Sequence, residues 1–481
     1  MSKKRFSEIY WRNVLDPSYQ NWLRLFKTAS FQVHRAHLLM LFRQGVVSRD
    51  IVDSIKKALD KLERTFEFPA VLPNGVEDLY FILEQALGEE VGQENAAWLH
   101  TARSRNDMDT TIFRMVLKNE FRNLIQKLTA VCRAMELKAQ HSEGLLTVLY
   151  THGQPANPST FAHYVMAIAQ ELADTAGYCL DALDDIDKST MGAAAITGSG
   201  FPIDRAMVAQ FLGFSAYAVN TYQAISTGHW LERPAQAVQL LMVDIGRCIA
   251  DILHKASCEV GLIIFPDDLV QVSSIMPQKR NPVILEHVRI QASSIIDSCS
   301  AMLQHFRNVP FQDVNENADA PIAQFLDTLR KSVALLDLFE EAVLKMEPDT
   351  ERAREISRQF GVTTTELADD MVRRTGVGFR VAHELCSIFV SSGSSFDVLR
   401  KEFNKKTGNT LPYDDDELRR ILEPETFIRV RSVPGGPAQD GMKENYIELE
   451  KKVFALQRSV AESLERESAG IKSMMDGLSE I

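Results

Sequence analysis

A mainly α-helical chain of more than one domain is predicted by three features of this sequence. Apolar residues recur at helical spacing over long stretches, strand-like alternation is scarce, and the composition shifts twice along the chain. At 481 residues the chain exceeds a single hydrophobic core, and its 45% hydrophobic content is ample for two or three.

The elements follow in order. Near residues 102–107 short, mixed segments give way to long helices, the first predicted over residues 113–145. Pro234, after Arg233, suits the first turn of a further helix, because its fixed φ and missing N–H cost little there. Val238, Leu241, Ile245, Ile249, Ile252 and Ala256 then recur at spacings of three and four on one face of it. Leu240, Met242, Cys248 and Leu253 widen that face, which predicts burial on more than one side, as in a bundle of several helices. Pro282 interrupts the pattern and residues 286–306 resume it. Near Pro348-Asp349-Thr350 the long helices end, and Gly-rich and charged stretches follow. The acidic run at residues 414–417 predicts a solvated turn and helix start. These shifts divide the chain into an N-terminal helical domain (1–106), a central long-helix bundle (107–350) and a C-terminal helical domain (351–481).

Charge and motif content exclude several function classes. A net charge of −12 argues against a nucleic-acid groove. The basic start, residues 1–5, is followed by no apolar stretch or cleavage site, and no run approaches the ~20 apolar residues of a membrane span. The cytoplasm is the expected compartment. Six scattered cysteines form no Cys-x-x-Cys pair and are expected to be buried small hydrophobes. The eleven histidines show no metal-binding spacing, and no Gly-rich phosphate loop follows a strand, so neither metal nor cofactor is expected.

The segment Val272-Ser273-Ser274-Ile275-Met276-Pro277-Gln278-Lys279-Arg280-Asn281-Pro282 is the most informative in the chain. Two prolines resist helix, Ser273 supplies a hydroxyl, and Lys279 supplies a cation six positions on. Such a loop can close over an anion. It resembles the signature loop of the fumarase/aspartase superfamily, Gly-Ser-Ser-x-Met-Pro-x-Lys-x-Asn, and departs only in Val272 for Gly, which is expected to stiffen the hinge. His100-Thr101-Ala102-Arg103-Ser104-Arg105-Asn106-Asp107 resembles the block typical of argininosuccinate lyases. Tyr150-Thr151-His152-Gly153-Gln154 resembles the superfamily's Thr-His-x-Gln block. Met191-Gly192-Ala193-Ala194-Ala195, Leu212-Gly213-Phe214 and segments around Thr364, His383 and Gly435 match weaker landmarks, so the resemblance spans nearly the whole chain.

The resemblance implies a three-domain, mainly α subunit whose central bundle pairs into a twenty-helix homotetramer core, with each active site built from three chains. It also implies a reversible β-elimination that splits an N-substituted aspartate into fumarate and an amine. Removing a proton beside a carboxylate builds a doubly charged aci-carboxylate, so such a site needs a base, a cation, several donors and an acid for the leaving amine. The resemblance assigns the base to Ser273, which neighbouring backbone N–H groups and Lys279 would help to ionise. Lys279 and Asn281 would hold the developing charge, with Ser274 and Met276 beside them. His152 would donate a proton or set the protonation state, and Glu286 would hold its tautomer. Arg105 and Asn106 would bind a substrate carboxylate, Ser104 and Thr151 would add hydroxyl donors, and Gln154 would orient its block. Arg103 and Asp107 are expected in structural ion pairs nearby. The partner is a small dicarboxylate substrate, with no nucleic acid or membrane.

Other blocks depart from the argininosuccinate lyase pattern. Tyr80 replaces the His of Glu-Asp-Val-His, and Ser226-Thr227-Gly228-His229 replaces Ser-Asp-Arg-Asp. Residues 311–319 replace Tyr-Asn-x-Asp-Leu-Gln-x-Asp-Lys, placing Glu316 at a Gln and Asp319 at a Lys. Acids there suit a cationic amine or diamine, so an aminopolycarboxylate lyase of the ethylenediamine disuccinate type is the alternative reading. A reading of another class is a non-catalytic, crystallin-like structural protein. The survival of Ser273, His152, Lys279 and Glu286 argues against it.

Overall fold

In a computed structural model the chain is described over residues 5–481. The basic residues 1–4 lie outside the described part. The N-terminal third carries α1 (Lys27–Arg43), α2 (Arg49–Thr65) and α3 (Leu79–Val91). Five long helices follow: α4 (Arg105–His141), α5 (Phe161–Ile186), α6 (His229–Lys255), α7 (Val283–His305) and α8 (Asp319–Lys345). They pack as a closed ring, α4 on α5, α5 on α6, α6 on α7, α7 on α8 and α8 back on α4. One hydrophobic core runs through this ring and into α1, α2 and α3. A second, smaller core joins α9 (Thr364–Thr375), α10 (Phe379–Ser391), α11 (Phe396–Thr407) and α12 (Asp415–Ile421). The last helix, α13 (Gln439–Ser479), returns to lie along α4 and α5, burying Leu449, Val453, Leu456 and Val460 in the first core.

Local signals explain where the helices begin. Ser104 caps α4 in a capping box with Asp107, Thr160 caps α5 through the His163 N–H, and Asp414 caps α12 reciprocally with Glu417. Each cap supplies an acceptor to an N–H that has no partner within its helix. The acidic run is therefore a helix start, neutralised by Arg374, Arg400 and Arg419. α4 begins at Arg105, well before the expected 113, because the Ser104 cap sets it. It ends at His141, before the expected 145, because Gly144 (φ 78) turns the chain into a strand.

The central face predicted on α6 is the one that packs: Val238, Leu241, Ile245, Ile249 and Ile252 are fully buried, as is Met242, whereas Leu240, expected to widen that face, is exposed together with Val243 because it falls on the opposite side of the helix. Burying each such side chain stabilises by about 1.5–3 kcal/mol before conformational entropy is counted. Pro234 corrects the reading of this helix. It lies inside α6, whose start is His229 behind Gly228, so the carbonyl of Trp230 loses its helical N–H partner. Gly228 is needed there, since a Cβ would stand 2.7 Å from the Phe306 ring. Of the cysteines, Cys132, Cys179, Cys299 and Cys386 are buried as expected, whereas Cys258 is exposed where the chain turns after α6. Among the described residues no helix is long and apolar enough to cross a membrane.

Candidate functional site

The predicted residues fall on three separate surfaces. The first is the amino-terminal end of α4. Ser104 is its cap, with Oγ accepting from the Asn106 N–H at 3.4 Å. Arg105 points back to Asp78, at the cap of α3, and to Glu77 at 3.4 Å, with its guanidinium 5.2 Å from the Phe81 ring centre. Asn106 Nδ2 donates to Asp313 Oδ2 at 2.7 Å. Both predicted carboxylate binders thus already hold carboxylates of the protein. They line a cavity of about 820 Å³ whose far wall is residues 313–319. Asp319 lies on that wall, but Ser18 Oγ at 2.8 Å and Asn21 Nδ2 at 3.0 Å take up its oxygens. Asp109, one helical turn beyond Arg105, also faces the cavity and was not singled out in the sequence; the signal available was its i+4 spacing from Arg105.

Arg103 and Asp107 anchor this end of α4 without the expected ion pairs. Buried Arg103 donates to His34 Nδ1 at 2.8 Å. Asp107 instead accepts three backbone N–H groups, from Ser104 at 2.9 Å, Gly192 at 2.8 Å and Ala194 at 2.9 Å. Those contacts explain the Met191–Ala195 landmark: the loop is the other half of the Asp107 seat. Burial pushes the Asp107 carboxyl up to about 6, against the pull of its donors. Burial also depresses His34 strongly and brings His37 down to about 3, with Arg103 adding repulsion in each case. Half-buried Tyr80 adjoins this group, its hydroxyl meeting exposed His100 at Nδ1 (2.7 Å) and Glu84 at 2.9 Å.

The second surface is a hairpin of β1 (Leu146–Thr151) and β2 (Gln154–Thr160), whose register pairs Thr151 with Gln154 across the tip. His152 (φ 53) and Gly153 (φ 72) are the tip, both in the left-handed region that a two-residue hairpin turn requires. Thr151, His152 and Gln154 are all exposed. The hairpin holds an imidazole out to solvent on a rigid stem.

The third surface is a short hairpin, β3 (Gln271–Val272) against β4 (Arg280–Asn281), with residues 273–279 as its loop. Asn281 Nδ2 donates to the Gln271 carbonyl at 3.2 Å and Arg280 pairs with Asp267, fixing the stem. Val272 sits in the strand outside the left-handed region, so the conformation needs no glycine there. At the tip the N–H groups of Met276 (3.1 Å) and Ile275 (3.4 Å) point at Ser273 Oγ. Two donors converging on one hydroxyl oxygen favour its alkoxide. Ser274, Met276 and Lys279 are exposed around it, and Glu286 is exposed on the first turns of α7. Among the described residues no hydrogen bond or ion pair links Ser273, Lys279 or Glu286 to His152 or Arg105.

A five-helix ring carrying these three polar surfaces at separate places is the architecture of the fumarase/aspartase superfamily of lyases. The lyase family profile matches residues 19–296. Argininosuccinate lyase 2 of Agrobacterium fabrum is 36% identical over 471 residues, covering 96% of this chain and 94% of that one. Argininosuccinate lyase of Methanothrix thermoacetophila is 30% identical over 455 residues, covering 94% and 92%. The chain belongs to this lyase family and is argininosuccinate lyase-like. Its fold is shared with EDDS lyase in complex with formate (TM-score 0.81, 24% identity, covering 96% of this chain and 95% of that one). It is shared more distantly with a class II fumarase from Schistosoma mansoni (TM-score 0.65, 15% identity, covering 83% and 90%).

Proposed function

We propose that this lyase catalyses the reversible β-elimination of an N-substituted aspartate, argininosuccinate-like in its succinyl half, to fumarate and an amine. The observation that carries the reading is the Ser273 hydroxyl, which receives two backbone N–H groups at the tip of an exposed hairpin in a loop that also offers Lys279. Ser273 Oγ removes a proton from the carbon beside the substrate carboxylate, and Lys279 and Asn281 hold the aci-carboxylate that forms. The C–N bond then breaks, its electron pair leaves on nitrogen, and His152, oriented by Glu286, supplies the proton to the amine. Arg105, Asn106, Ser104 and Thr151 bind the second carboxylate, with Gln154, Ser274 and Met276 shaping the site. Arg105 and Asn106 then exchange Asp78 and Asp313 for substrate oxygens.

Three separated surfaces on one chain support a site assembled from three subunits of a homotetramer. Four copies of the five-helix ring make a core of twenty helices, and the exposed Leu240 and Val243 of α6 suit burial against another copy. The proposed division is 1–106, 107–350 and 351–481, with α13 reaching back to the central part. The proposed setting is the cytoplasm. The second reading, an aminopolycarboxylate lyase, is favoured by the acids on the cavity wall, Glu316 among them.

Argininosuccinate, adenylosuccinate and ethylenediamine disuccinate, each mixed with the purified protein, test the reading by fumarate absorbance and amine analysis. Equal amounts of fumarate and amine from at least one are expected; products from none of them, with no fumarate consumed beside free amines, would remove it.

A further inference from the structure

The cavity at the start of α4 is built for more than a carboxylate. Among the described residues lining it, Arg105 is the one cation, facing Glu77, Asp78, Asp109, Asp313, Glu316 and Asp319. Asp78 and Glu77 are used by Arg105, Asp313 by Asn106, and Asp319 by Ser18 and Asn21. Asp109 and Glu316 are left with no hydrogen bond or ion pair among the described residues. Burial, reinforced by the charge of Asp78, pushes the Asp109 carboxyl well above the usual range, and a cation beside it would relieve that strain.

A second, uncharged group makes the same demand. Asn317 is 5% exposed and lines the cavity. Its Nδ2 donates to the Ile225 carbonyl at 3.0 Å, which fixes the amide's orientation, and its Oδ1 has no hydrogen-bond partner. A buried acceptor left without a donor is costly, and an ammonium or guanidinium N–H satisfies it.

We propose that this cavity takes the amine half of the substrate, and that this half carries a second positive charge and no carboxylate. The substrate class is an N-succinyl derivative of an aliphatic diamine or guanidino-alkylamine, with Glu316 a specificity-determining residue. The inference rests on the lyase reading above and specifies its amine. An arginine carboxylate, or the second succinyl group of ethylenediamine disuccinate, would meet Asp109 and Glu316 with Arg105, the one cation among the described residues lining the cavity, already taken by the succinyl half; the acids favour only the ammonium groups of such a compound. Like charges brought together in one cavity cost more than a shared methylene chain contributes. The bond changes are those of the parent reaction: in reverse, the free amine adds to one alkene carbon of fumarate, the other carbon gains a proton, and nothing is oxidised.

The test is fumarate consumption by the full-length protein with 1,4-diaminobutane, agmatine, butylamine and arginine, beside cleavage of argininosuccinate. The expected result is a kcat/KM for the two dications at least about tenfold above butylamine and arginine. Glu316→Gln should narrow that preference severalfold through KM, while Glu316→Asp, which keeps the charge, should retain it. Turnover that favours arginine or argininosuccinate overturns the inference and leaves the lyase reading standing. No change in fumarate with any amine, nor with argininosuccinate, adenylosuccinate or ethylenediamine disuccinate, removes both.

Discussion

His152 and Ala102 hold left-handed backbone, at φ 53 and φ 61, and both lie in motif segments of the candidate site. For His152 the hairpin tip explains the conformation. Ala102 turns the chain between Thr101, whose carbonyl meets His37, and buried Arg103, and a methyl group there is strained. Ala102→Gly should therefore raise stability by about 1 kcal/mol, read as a higher thermal midpoint. Ser273→Ala should keep the fold and lower turnover by roughly a thousandfold or more, since Ser273 carries the tip hydroxyl on which two backbone N–H groups converge; ordinary turnover would remove Ser273 from the base role. At this scale the sequence was legible for identities and not for partners. Arg105 stands out as a fork of donors, but its partner Asp78 lies 27 positions earlier, and the Asn106 partner Asp313 lies 207 later. Only folding brings these carboxylates to donors that a motif assigns to substrate. Arg103 and Asp107 misled for a related reason: a charged pair close in sequence suggests an ion pair, whereas each found neutral partners in its own buried seat.

The helices themselves were legible because their apolar faces repeat at 3.6 residues. Their ends depended on capping and close packing, which periodicity does not encode. Pro234 shows this: a proline marks a first turn only when no better start lies upstream, and Gly228 under the Phe306 ring provides one. On α1, His37 Nε2 meets the Thr101 carbonyl at 2.8 Å and tethers the helix to the segment before α4. Its pKa falls from 6.5 unfolded to about 3 folded, mainly through burial and next through Arg103. Between those values the unfolded chain binds the extra proton. The contribution is therefore complete above pH 6.5 and is lost as the pH falls towards 3, at up to roughly 1.4 kcal/mol per pH unit. His37→Gln, which keeps a donor to Thr101, should flatten that acid limb in denaturant titrations at several pH values. α13 is held where Gly470 passes the Gln210 carbonyl and the Gly213 N–H. A Cβ at Gly470 collides with backbone, so Gly470→Ala should lower the thermal midpoint, at a cost of about 2 kcal/mol or more.

At the scale of the whole molecule, one chain presents the Ser273 hairpin, the His152 hairpin and the Arg105 end of α4 on three different surfaces. The family resemblance implied sharing between chains. Spacing along one sequence could not, because distances between copies are absent from it. The proposed amine pocket was legible only as altered residues, and the cavity sorts them: Asp319 is engaged with Ser18 and Asn21, while Glu316 has no hydrogen-bond or ion-pair partner among the described residues. The proposed site releases fumarate and takes Ser273 and His152 from different subunits. It is tested most directly by co-assembling Ser273→Ala chains with His152→Asn chains and measuring fumarate release from a compound the unaltered protein cleaves. Each variant alone should be silent, and an equal mixture should regain about a quarter of the unaltered rate, because two random choices of subunit must both be intact. A mixture that assembles yet stays silent would contradict the shared site, and an unaltered protein that releases no fumarate would contradict the chemistry.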